Sequence, residues 1–159
     1  MLYEAISEDY WGDITIDTGI VRFDVKLDLE DFIIVGDTLN DDNMFEGFVF
    51  GLHKEDKYLG AFERFDDFPL LYHNYYVGQK WYSKISLEQH GEENASNREI
   101  ISISETVTVP AGTFINCIVI KYADGNEPYS YLYFRKDIGI IKIESVDDSF
   151  SMKLISKNF

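Results

Sequence analysis

Between Glu105 and Glu144 one apolar-alternating run follows another, each closed by a turn-forming residue. Val107 and Val109 lead into Pro110-Ala111-Gly112. A second run extends from Phe114 to Tyr122. A third, from Tyr129 to Phe134, follows Asp124-Gly125, and a fourth follows Asp137-Ile138-Gly139. Apolar residues two apart, punctuated by Gly and Pro, are the signature of consecutive antiparallel strands. This stretch sets the expected class as mainly β.

The rest of the chain extends the pattern. Val21, Phe23, Val25, Leu27 and Leu29 alternate with Arg22, Asp24, Lys26, Asp28 and Glu30, which predicts a strand with one face on a core and one in water. Ile14–Ile16 and Phe32–Val35 are shorter strand candidates. Phe45–Leu52 and Tyr58–Phe65 read as a hairpin that Asp66–Pro69 brings to an end. Gly78–Tyr82 reads as the entry to a strand of about ten residues, and His90–Arg98 as a polar turn. Further on, Ile101, Ile103, Val107 and Val109 are expected on one face, with Glu105 as an interruption. Phe114, Ile118, Ile120 and Tyr122 share a face with Asn116, opposite Ile115, Cys117 and Val119; both faces are apolar, so this strand is expected to be central and covered on both sides. Tyr129, Tyr131 and Tyr133 form a stripe opposite Leu132 and Phe134. The prediction is one domain over residues 1–159: a single curved antiparallel sheet of ten to twelve strands. At most one or two short helices are expected, one of them within 84–100.

Composition narrows the function classes. Hydrophobic residues make up 45% and aromatics 16% of 159 residues, enough for a packed core without a disulfide or metal staple. The net charge is −15, and residues 1–80 carry eighteen acids against six bases. Such a surface repels phosphate backbones and anionic lipid, so no nucleic acid partner is expected. No apolar run is long enough for a membrane span. Met1-Leu2-Tyr3-Glu4 has neither the basic nor the apolar region of an export signal. Location is therefore left open: periplasmic or cell-surface if a signal has been removed, cytoplasmic otherwise.

The residues offer little for catalysis. Cys117 is the only cysteine and sits among apolar neighbours, which reads as a small buried hydrophobe. His53, His73 and His90 belong to no metal or catalytic motif, and no nucleophile elbow or phosphate loop occurs. Of the three, His73, set among aromatics, is expected to be partly buried. The acidic segment Gly36–Glu46 fails the EF-hand spacing and reads as a solvated turn. No catalytic residue, metal site or cofactor is assigned.

The segment VTVPAGTFINCIVIKY, followed by YLYFRKDIGIIKIE, resembles a C-terminal signature in a group of largely uncharacterised bacterial proteins. These share the half-barrel architecture of the lipoprotein carriers LolA and LolB. The matching elements are Val109–Phe114, Cys117, Tyr129–Phe134 and Asp137–Lys142, with Val77-Gly78 and Trp81 as the entry to the strand region. The resemblance covers roughly residues 75–157. It implies a half-barrel whose apolar concave face takes a hydrophobic small molecule, a lipid, or a lipidated or peptide partner. Tyr75, Tyr76, Trp81, Tyr129, Tyr131 and Tyr133 are the expected lining. The other reading open to the sequence is a structural or protein-interaction domain with a filled core and no small-molecule ligand.

Overall fold

The computed structural model describes residues 2–7, 17–28, 31–38, 49–54, 58–63 and 66–156, with side chains over 69–156. After Gln79 the chain forms β1 (Lys80–Tyr82), α1 (Lys84–His90), β2 (Ser96–Val109), β3 (Gly112–Asp124), β4 (Glu127–Arg135), β5 (Gly139–Ser145) and β6 (Phe150–Ser156). The six strands lie side by side in chain order, each antiparallel to the next. The chain is thus mainly β, with one curved antiparallel sheet and one helix in this region. Upstream, the backbone of Leu2–Ser7, Asp17–Asp28, Asp31–Thr38, Val49–Lys54, Tyr58–Glu63 and Asp66–Tyr72 is extended and paired antiparallel between successive segments. Leu2–Ser7 also pairs with β6. The acidic segment Gly36–Glu46 lies mostly outside the described residues.

Period-two alternation becomes two faces. The register aligns Ile100, Ile120, Leu132, Ile143 and Met152 in one row across β2 to β6. Ile100, Ile120, Leu132 and Met152 are each at most 2% exposed. The sheet curls around this face. At one end of the hairpin, the Ala111 amide in the β2–β3 turn donates to the Leu154 carbonyl on β6, at 3.0 Å. Phe114, Ile118, Phe134, Ile140, Ile141 and Leu154 fill the space between. In β3, Cys117 to Ile120 are all buried, so the central strand is covered on both sides there. Each large aliphatic side chain removed from water contributes about 1.5–3 kcal/mol, which makes this interior the main source of stability.

Three expectations are corrected. The strand entered at Trp81 ends at Tyr82, because Ser83 caps a helix: its Oγ accepts from the Ser86 amide at 3.2 Å, and Gly91 closes the other end with φ 68°. The polar stretch before Arg98 is not all turn, since Ser96–Arg98 opens β2 and pairs with β3. Asp66–Pro69 is itself strand, opening Asp66–Tyr72, which pairs back onto Tyr58–Glu63. The β3–β4 turn also restricts its residue type. Gly125 has φ 57°, and a Cβ there would overlap the Glu93 carbonyl, so only glycine fits.

The row predicts a graded response to truncation. Ile120→Ala is expected to lower stability by about 2–5 kcal/mol. Ile115→Ala, on the same strand but 57% exposed, is expected to change it by less than about 0.5 kcal/mol. Chemical denaturation of the two variants measures the contrast.

Candidate functional site

The apolar face is covered at its β1 edge. Trp81 on β1 pairs with Arg98 on β2, and Arg98 with Tyr122 on β3, so all three side chains share the apolar face with Ile100 and Ile120. The strand Asp66–Tyr72 lies over this corner. Two donors converge on its Pro69 carbonyl: Trp81 Nε1 at 2.7 Å and an Arg98 guanidinium nitrogen at 2.8 Å. The Arg98 guanidinium also stands 4.6 Å from the centre of the Tyr122 ring, in cation–π range. Tyr72 meets Trp81 edge to face at 5.6 Å. Leu70 and Leu71 are buried in the same core. A fully buried guanidinium is costly unless hydrogen-bonded, and here its bonds tie one end of the sheet to the strand above it.

The residues expected to line a cavity are dispersed. Trp81 is buried beneath Pro69 and Tyr72. Tyr75 is partly buried, with the Lys136 ammonium 5.2 Å over its ring. Tyr76 is 63% exposed. Tyr129 is exposed and meets Tyr122 at 6.2 Å. Tyr131 and Tyr133 are on the face opposite Leu132 and Phe134. There Tyr131 sits between Lys121 and Glu144, and Tyr133 between Val119 and Lys142.

That opposite face carries a charge network. Lys121 pairs with Glu99 at 2.5 Å, and Lys142 with Glu144. The Tyr133 hydroxyl donates to Glu144 at 2.5 Å, while the Lys142 ammonium lies 5.2 Å over the Tyr133 ring. Burial, then the bond to Glu144, pushes the Tyr133 phenol well above its usual range. Burial also pushes Glu144 up, but hydrogen bonds from Lys142 and Tyr133 and the charges of Lys142 and Lys153 outweigh it and hold the carboxyl below its ordinary 4.5. The network is internally satisfied, which suits a structural role.

Elsewhere the chemistry is sparse. Cys117 is fully buried, its Sγ donating to the Phe114 carbonyl at 3.5 Å, and burial pushes the thiol above its usual value. A buried thiol of raised pKa is a poor nucleophile. His73 and His90 are both exposed, so the partial burial expected of His73 is not found; the loop 73–79 turns it outward. Among the described residues, no group of three or more His, Cys, Asp or Glu is placed to hold a metal, and no helix is long and apolar enough to cross a membrane. Sequence reasoning missed Arg98 and the outer edge of β2. Arg98 followed polar residues and carried no sign of burial, whereas Ile101 and Ile103 read as core.

No family model matches the chain, and no curated protein or solved structure matches it.

The Glu144 network gives a pH test. A carboxyl held low in the folded state contributes stability above its unfolded-state pKa, and loses it as pH falls through the folded value. Glu144→Gln is therefore expected to be less stable than the parent at neutral pH, the gap closing as pH drops below about 4.5. Thermal melts of both proteins from neutral to acidic pH measure it.

Proposed function

We infer that this chain is a non-catalytic interaction module: a half-barrel wall of ten to twelve strands whose apolar side is occupied by its own side chains. One observation carries this reading. The Ile100–Ile120–Leu132–Met152 row is sealed from water within the described residues, and the turn at Ala111 closes over it onto β6. A face filled in this way contributes folding energy and leaves recognition to edges and outer surfaces. The acidic balance of −15 favours a basic partner and an association that weakens with salt.

The carrier reading implied by the resemblance stays as the second. The aromatic corner of Tyr72, Trp81 and Tyr75 favours it, because aromatic walls are common where apolar ligands bind. A fluorescent fatty acid titrated into the full chain separates the two. The interaction module is expected to give no saturable uptake and an unchanged melting temperature. Stoichiometric uptake with a rise in melting temperature, as ligand linkage requires, would overturn it in favour of the carrier.

A further inference from the structure

Beyond Ile100 the outer edge of β2 has no neighbouring strand among the described residues. The last outward backbone bonds are from the Gly78 amide to the Ile100 carbonyl, at 2.7 Å, and from the Ile100 amide to the Gln79 carbonyl, at 3.0 Å. From Ser102 to Thr108 the strand pairs only with β3, on its inner side. The Ser104 amide makes a 3.4 Å contact with the Ser102 hydroxyl. This edge reads Ser-Ile-Ser-Glu-Thr-Val-Thr, rich in residues that favour strands and free of proline. Ile101 and Ile103 are each 42% exposed beside it. Glu105 is exposed and makes no ion pair among the described residues.

A row of backbone donors and acceptors with no strand partner is a template for an added strand. The geometry narrows which strand. A second copy of this chain would pair by a two-fold axis, and the axis that uses all of Ser102–Thr108 passes through Glu105. Two like charges would then lie directly opposite each other, between chains of net charge −15. The edge of another sheet fits poorly as well. The β2–β3 register slips between Ile100 and Ser102, between Ser102 and Glu105, and between Glu105 and Val107, and such bulges add twist that a flat edge cannot follow. A free extended segment can follow it.

We propose that the Ser102–Thr108 edge receives an extended, cationic segment of another polypeptide as an added antiparallel strand, with a Lys or Arg opposite Glu105 and apolar side chains against Ile101 and Ile103. This rests on the interaction-module reading and names its partner class.

The test is amide hydrogen exchange on the full chain, followed by NMR. The probe is a seven-residue peptide alternating threonine and valine around a central lysine, with a central-glutamate peptide as its counterpart. The lysine peptide is expected to slow exchange at Ser102–Thr108, and the glutamate peptide to bind roughly ten-fold more weakly. Glu105→Lys, an exposed change that leaves the core intact, is expected to reverse that preference. No protection with either peptide, or equal affinity for both, overturns the proposal. So does protection in the free protein, whether it grows with concentration (a second copy) or does not (a segment of the same chain). Fatty-acid uptake would remove the preceding reading without altering these exchange rates, so the two failures are distinguishable.

Discussion

The fold depends on keeping one face of a curled sheet dry. Once the row from Ile100 to Met152 is buried, the antiparallel register sends every directly paired alternate residue to the other side. That constraint, and no local preference of their own, puts Lys121, Tyr131 and Glu144 together. It also explains the Arg98 corner. A guanidinium drawn into the dry side must find acceptors there, and the Pro69 carbonyl of an overlying strand is one of them. The same carbonyl takes the Trp81 indole N–H, so a single backbone oxygen anchors two large buried side chains.

Most of the strand architecture after residue 100 was legible, because period-two alternation survives wherever the ladder is regular. It failed where the ladder slips. Between β2 and β3 three irregularities intervene, and Asn116 adopts a left-handed φ of 57°. Each slip changes which residue faces the core. Ile101 and Ile103 were therefore turned out to solvent, while Val107 and Val109, in phase with them by sequence, were turned in. A bulge depends on how two strands fit across the ladder, so neither strand alone announces it. The short helix had a local signal in Ser83 and Gly91, yet the apolar residues around it read equally well as strand.

The candidate site was less legible than the fold. The resemblance implied a cavity lined by aromatics, but an alternating stripe such as Tyr129–Tyr133 lies opposite its apolar neighbours by construction. Leu132 and Phe134 took the dry side, and Tyr131 and Tyr133 took the charged one. Among the described residues the β2 edge is open because β1 begins only at Lys80, after the loop 73–79, so the longer strand has no outer neighbour beyond Ile100.

By itself the sequence determined the strand periodicity, the turn glycines, the acidic balance and the lack of any catalytic or metal motif, since each is a property of residues close along the chain. Only the tertiary structure decided which face was dry, where the ladder slipped, that Arg98 would be buried beneath Pro69, and which edge has no neighbour among the described residues. Those outcomes depend on the fit between strands brought together from distant positions, and the free energy of that fit is absent from any one segment.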